Sequence, residues 1–399
     1  NGDVASGENL VNRLYRTLDE VPPEQMMPVI RAALAETIEA TDVVLLLADY
    51  GETTLERFEA ARRPTPVGDC SLSIESTVAG DCYRRQELLV EPSEQGPAWS
   101  VFAPVTVRAE RFGVLVVTLA AAPEADTGAI AAQVASALAY VVASALRYTD
   151  VFERARRRRS LALAAEIQWE LLPVLGYDAA EFRLAGSLEP AYDIGGDNFD
   201  YAIDGDCLTL SISDAMGHGL RASLCATLSV TAMRNRRRAG RGILEQVQVA
   251  NQVLVEQYGS DMFVTAFVLQ IDLATGQGLA INAGHPPAWR HGATAVGPLE
   301  LDPDLPLGLA GDSTYRTWPV ELAPGDRLVL LTDGILEAGP TRDDTLGIDR
   351  LAGLVDEHRS SSPRELVRRV NQAVLAHRGS DELLDDATLL CLDWMGRPG

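Results

Sequence analysis

Cysteine and positive charge are both scarce in this sequence. Cys70, Cys82, Cys207, Cys225 and Cys391 are scattered through 399 residues. No two form a Cys-x-x-Cys pair, so neither a zinc site nor a disulfide framework is indicated. Free thiols in a reducing compartment are expected. Basic residues number 34 against 57 acidic ones, a net charge of -23. That balance excludes a general nucleic-acid binder and a binder of anionic membranes, because both need a broad basic surface. Long apolar runs are lacking too. The most apolar helical stretch, 129–146, is dominated by alanine and interrupted by Gln133, Ser136 and Ser144, a weak match to a membrane span. With no signal peptide at the start of the sequence as given, a cytoplasmic location is expected. What is present suits a folded soluble chain of two or three domains whose core needs no staples. The acidic excess suits metal-binding or solubilising carboxylates.

Residues 1–125 read as a mixed α/β domain. The pattern over 27–38 is helical, 43–47 is a buried-strand run, and 100–107 and 112–119 are a strand pair joined by a short charged turn at 108–111. A strand, a polar turn, Gly113-Val114-Leu115-Val116-Val117 and a closing helix resemble the GAF family of small-molecule sensor domains, with a PAS-like sensor as the rival. The resemblance implies an unidentified small ligand or signal. Residues 126–172 read as a helical linker. Val134, Leu138, Val141, Ala145, Tyr148, Phe152 and Ala155 follow steps of four and three, the spacing of a coiled-coil seam. The register fails at Arg156-Arg157-Arg158-Arg159, and a shifted seam through Leu161, Ala165, Gln168 and Leu172 follows. A homodimer through this helix is therefore expected, with dimer geometry setting the output; an intradomain helix and a solvated linker are the plainer reading.

Residues 173–399 change to strands. Leu208, Leu210 and Ile212 alternate with polar residues, and 263–273, 278–282, 328–332 and 387–392 are strand-like. Helical stretches at 220–236, 244–258 and 363–377 lie between them. Strands in runs with helices in long connections predict a β-sandwich flanked by helices, an α+β class overall. Four aspartate motifs stand at predicted strand ends: Gly195-Gly196-Asp197, Asp214-Ala215-Met216-Gly217-His218-Gly219, Thr332-Asp333-Gly334 and Asp385-Asp386-Ala387-Thr388. Each alone is an ordinary turn signal. Together, converging carboxylates would repel one another unless a cation sat between them. Hard oxygen donors without a Cys or His cluster select Mg²⁺ or Mn²⁺ over zinc.

These motifs resemble the metal-dependent protein phosphatases, the PPM or type 2C superfamily, in its SpoIIE-like sporulation-phosphatase branch. The resemblance runs over 161–394. Further landmarks are Glu166-Ile167-Gln168, Phe263-Val264-Thr265, Asn282-Ala283-Gly284-His285-Pro286-Pro287 and Leu305-Pro306-Leu307-Gly308. By resemblance, Asp214 bridges two metal ions and the Ala215 carbonyl joins it. Asp197 holds one ion, and Asp333 and Asp385 hold the other, with Asp386 as the alternative to Asp385. His285 matches a position near a third metal in some relatives, against a plain turn histidine. Met216 stands where some relatives carry a general-acid histidine, which leaves the leaving-group acid unassigned.

The resemblance implies a serine/threonine phosphoprotein phosphatase using two Mn²⁺ or Mg²⁺ ions and direct hydrolysis by an activated water. No cysteine lies in a Cys-x5-Arg loop, which argues against a tyrosine phosphatase. In that branch, the substrate is a phosphorylated STAS-type antagonist of an anti-sigma factor. The alternative is a catalytically weak phosphoprotein-binding or ligand-sensing dimer module. The basic cluster Arg234, Arg236, Arg237, Arg238 and Arg241 is read as a solvated helix end or a dock for an acidic phosphoprotein.

Overall fold

The computed structural model describes residues 13–14, 16–18, 20–59, 71–92, 96–157, 160–189, 195–292, 296–341, 344–378 and 386–397. Cys70, Arg158, Arg159 and Asp385 lie outside them. The chain divides into two units, 1–160 and 161–399.

The first unit is built on one antiparallel six-stranded sheet. Its order is β3 (Ser71–Ser73), β2 (Thr54–Arg57), β1 (Ala40–Ala48), β6 (Glu110–Leu119), β5 (Trp99–Val107) and β4 (Leu89–Pro92). β5 and β6 form the expected hairpin, with Arg108 in the left-handed region at φ 55°. Helices α1 (Met26–Ile38) and α3 (Thr127–Ala145) contribute Ile30, Leu34, Val134 and Leu138 to the core shared with Leu45, Leu47, Leu115 and Val117. α2 (Val78–Arg85) covers the other face through Ala79, Cys82 and Tyr83.

The stretch 126–172 is three helices rather than one. α3 ends at Ala145, α4 spans Val151–Arg156, and α5 spans Leu163–Leu171. α3 and α4 belong to the first unit and α5 to the second, so a separate linker domain over 126–172 is replaced by a division after residue 160. The expected dimer seam is also corrected. Val134, Leu138, Ala145 and Phe152 are buried in the first unit's core, and Val141 and Ala155 pack against it. Only Tyr148 of that set is exposed. A four-three apolar spacing marks any helix that lays one face on a neighbour, and a sheet satisfies it as well as a second helix. α3 is long and apolar enough to cross a membrane, yet its apolar face is spent on this sheet.

The second unit is a four-layer α-β-β-α sandwich. One sheet has the order β15 (Trp318–Glu321), β12 (Gln277–Ala283), β11 (Val264–Asp272), β10 (Cys207–Ala215) and β9 (Asp197–Asp204). The other is β14 (Val296–Pro298), β13 (Trp289–His291), β16 (Arg327–Leu331), β17 (Ala387–Trp394), β8 (Phe182–Glu189) and β7 (Gly176–Asp178). Leu208, Leu210, Ile212, Phe267, Leu330 and Leu390 fill the space between the sheets. On the outer face of the first sheet lie α6 (Leu220–Arg238) and α7 (Ile243–Tyr258), packed on Ala215, Val264, Ala266 and Val268. On the outer face of the second lie α9 (Gly347–Glu357) and α10 (Pro363–Arg378), packed on Val329, Leu331 and Leu389. The short α8 (Asp333–Leu336) follows β16 directly. Sandwich and flanking helices agree with the sequence reading.

Candidate active site

Antiparallel pairing sets where the aspartates fall. β9 begins at Asp197 and β10 ends beside Asp214, and these two residues face each other in the ladder. In the other sheet, β16 ends at Leu331, before Thr332 and Asp333, and β17 begins after Asp386. The starts of β9 and β17 and the ends of β10 and β16 therefore share one edge of the sandwich. Asp197 and Asp386 are buried, Asp214 is partly buried, and Asp333 is exposed at the start of α8.

Hydrogen bonds join the two sheets at this edge. Asp386 Oδ2 accepts from the backbone N–H of Gly196 at 2.6 Å and of Asp197 at 3.1 Å. Thr332 Oγ1 donates to Asp197 Oδ2 at 2.6 Å and accepts from Thr388 N–H at 2.9 Å. From the helix layer, Gln168 on α5 donates Nε2–H to the Asp197 carbonyl at 2.6 Å. Asp197 is thus gripped at its side chain, its N–H and its carbonyl.

Glycines clear the remaining space. A side chain at Gly196 would come within 3.1 Å of the Ala215 carbonyl. At Gly334, beside Asp333, a Cβ would sit 1.8 Å from the Asp386 carbonyl, so the backbone admits no side chain there.

Electrostatics give the edge its character. Burial holds the Asp197 carboxyl well above the usual range, and the charges of Asp214 and Asp386 raise it further; hydrogen bonds from Thr332 and Thr388 pull the other way. Mutual repulsion of this kind is relieved by a cation, and an all-oxygen donor set suits a hard divalent one. By donor chemistry the residues fit Mn²⁺ or Mg²⁺. Among the described residues no three His, Cys, Asp or Glu side chains close into a cage by themselves.

Of the residues chosen from sequence, Asp197, Asp214, Ala215, Asp333 and Asp386 share this edge, and Asp385 lies outside the described residues. Sequence reasoning missed Thr332, Thr388 and the Gln168 contact, although all three stand inside quoted motifs. His218 and Met216 are exposed on the loop after β10. Two of the clustered arginines are neither a solvated end nor a free dock. Arg234 and Arg237 bond the buried Asp200 carboxylate at 2.7 and 2.8 Å, and Arg234 also reaches the Leu171 carbonyl at 2.6 Å.

Comparison with known proteins concerns the second unit. Residues 204–395 match the family Stage II sporulation protein E (SpoIIE). The chain is 26% identical over 236 residues to "Phosphoserine phosphatase RsbU" of Bacillus subtilis, covering 59% of this chain and 70% of that protein. It is 24% identical over 244 residues to "Phosphoserine phosphatase RsbP" of the same organism, covering 59% of this chain and 58% of RsbP. The SiaA-PP2C domain of Pseudomonas aeruginosa shares the fold, with a TM-score of 0.50 at 22% identity over 58% of this chain and 94% of that one. Over residues 204–395 the second unit is thus similar to the SpoIIE family and to protein-serine/threonine phosphatases of that kind.

Proposed function

We propose that the chain is a metal-dependent phosphatase that removes phosphate from phosphoserine or phosphothreonine on a protein substrate. The observation that carries this reading is the pairing of Asp197 with Asp214 across β9 and β10, with Asp386 bound to the backbone of Gly196 and Asp197 from the opposite sheet. Asp197, Asp214, the Ala215 carbonyl, Asp333 and Asp386 or Asp385 would hold two Mn²⁺ or Mg²⁺ ions. The ions, when bound, would supply Lewis acidity, activating water and neutralising phosphoryl charge. The protein's own part is to hold five oxygen donors in place. Thr332 orients the Asp197 carboxylate, Asp386 sets the height of its backbone, and Gln168 ties that backbone to α5. Gly196 and Gly334 keep bulk out of the approach.

A protein-sized substrate is supported by the rim. The solvent side of α6 exposes Leu220, Arg221 and Leu224 in its first two turns and Thr231, Asn235 and Arg238 further along, a mix of apolar and polar groups. By resemblance to the SpoIIE-like branch, the substrate we favour is a phosphorylated STAS-type antagonist of an anti-sigma factor in the cytoplasm. The first unit is read as a GAF-like sensor that controls the second. The test is phosphate release from a phosphoserine-bearing STAS protein, with Mn²⁺ or with excess chelator. Metal-dependent release supports the reading; equal release in chelator refutes it.

A further inference from the structure

His285 lies two residues after β12, and its side chain is buried. Asn282 holds the turn that places it. The His285 N–H donates to Asn282 Oδ1 at 2.8 Å, and Asn282 Nδ2–H donates to the His285 carbonyl at 3.0 Å. Gly284 takes φ +73°, with a Pro306 side-chain carbon 2.8 Å from where a Cβ would stand. The ring is therefore set by backbone rather than by loose packing. Its Nδ1 lies 2.9 Å from Thr265 Oγ1. Thr265 is the ladder partner of Asp214, and its hydroxyl lies 3.5 Å from the Asp214 carbonyl. On the opposite sheet, the Leu331 carbonyl stands beside the ring and favours a proton on it, while burial disfavours charge and pushes the pKa down to about 3. The imidazole is neutral throughout the physiological range.

A neutral imidazole has one N–H and one lone pair. With the proton on Nδ1, Thr265 would accept, and the Nε2 lone pair would be buried with no donor in reach. With the proton on Nε2, Thr265 donates to Nδ1, and the Leu331 carbonyl beside the ring favours a proton there. The second tautomer keeps the Thr265 hydroxyl as donor to Nδ1 and sets a proton, rather than a bare lone pair, in a ring that has a carbonyl beside it.

We infer that His285 is a positioning residue beside the metal ligands: its Nδ1 holds the hydroxyl of Thr265, the ladder partner of Asp214, and its ring lies beside the Leu331 carbonyl of the opposite sheet. It is the counterpart of the Asp386 and Thr332 bonds on the β9 side. Asp214, on β10, is thus flanked by Asp197 on β9 and by the His285-held Thr265 on β11. The inference rests on the metal-dependent reading proposed above and goes beyond it in naming what holds the Asp214 strand end from the β11 side.

The test measures Mn²⁺ binding to the full chain by calorimetry, beside apo stability in chelator and turnover of p-nitrophenyl phosphate. The variants are Thr265→Val, Thr265→Ser, His285→Ala and the Thr265→Val/His285→Ala pair. Removing a group that orients a metal ligand weakens binding by about tenfold or more. Thr265→Val should therefore bind Mn²⁺ about tenfold more weakly, with kcat at saturating Mn²⁺ less affected than affinity. Thr265→Ser, which keeps the hydroxyl, should recover most of the loss, and the double variant should be little worse than either single one. If His285→Ala does not fold, the isosteric Thr265→Val decides alone. Wild-type Mn²⁺ affinity in Thr265→Val, whatever its apo stability, overturns the inference while leaving the proposed function standing. A wild-type chain that neither binds Mn²⁺ nor shows chelator-sensitive turnover overturns both.

Discussion

Thr332→Val tests whether the tie between the sheets is as strong as its geometry implies. Valine matches threonine in shape but can neither donate nor accept. The Thr332 side chain is fully buried, so no water replaces the lost hydroxyl. Two bonds disappear, one donated at 2.6 Å to the Asp197 carboxylate and one accepted at 2.9 Å from Thr388 N–H. A hydrogen bond contributes about 0.5–1.5 kcal/mol net, and a buried N–H left unpaired costs about 1–3 kcal/mol. Allowing for local relaxation, the loss is about 3 kcal/mol, a large share of a typical domain stability of about 5–15 kcal/mol. For a domain of this size that lowers Tm by roughly 6–12 °C. Tryptophan fluorescence follows the right unit, because Trp169, Trp289, Trp318 and Trp394 lie in the second and Trp99 alone in the first. Thermal unfolding in excess chelator compares wild type, Thr332→Val and Thr332→Ser. The serine variant should stay within about 1–1.5 kcal/mol of wild type, the cost of one buried methyl group. A Thr332→Val chain that melts within about 2 °C of wild type would refute the reasoning.

Asp214→Asn should separate stability from activity. It removes a charge that raises the Asp197 carboxyl, so the apo protein should melt no lower than wild type while chelator-sensitive hydrolysis falls about a hundredfold or more; unfolding in chelator and initial rates check both. Gly334→Ala must displace backbone, since its Cβ would meet the Asp386 carbonyl at 1.8 Å. It should cost about 3 kcal/mol in urea unfolding and lose metal-dependent turnover. His285, with its folded pKa lowered to about 3, contributes stability that is fully present above its unfolded pKa of about 6.5 and lost as pH falls toward 3. Between pH 6.5 and 4.5 that loss amounts to about 2–3 kcal/mol. The fall in wild-type stability over that interval, measured by urea unfolding, should exceed the fall in His285→Gln by that amount.

Much of the second unit was legible because its strands carry two different faces. Leu208, Leu210 and Ile212 alternate with Thr209, Ser211 and Ser213, and the structure sends the first set between the sheets. The carboxylates were legible because each stands at a strand end, Asp197 and Asp333 directly beside glycine, and antiparallel pairing brings those ends to one edge. Contacts made at long range were not. Thr332 bonds Asp197 across 135 residues of chain, and a threonine ending a strand carries no mark of its partner. Arg234 and Arg237 look like a helix-end cluster until Asp200, more than thirty residues away, is placed beneath them. The helix at 127–145 shows the same limit from the other side. Its apolar spacing was read as a dimer seam, but spacing does not say what covers an apolar face, and the first unit's own sheet covers this one.

The central claim is that oxygen donors on two sheets assemble a site for metal-dependent phosphate hydrolysis. Its most direct measurement is the rate of phosphate release from a phosphoserine-bearing protein by the full chain, titrated with Mn²⁺ and then with chelator, alongside Asp214→Asn. The account predicts release that rises with Mn²⁺, disappears in chelator, and stays about a hundredfold down in Asp214→Asn at every Mn²⁺ concentration. Undiminished release in excess chelator, or an Asp214→Asn chain as fast as wild type, would contradict it.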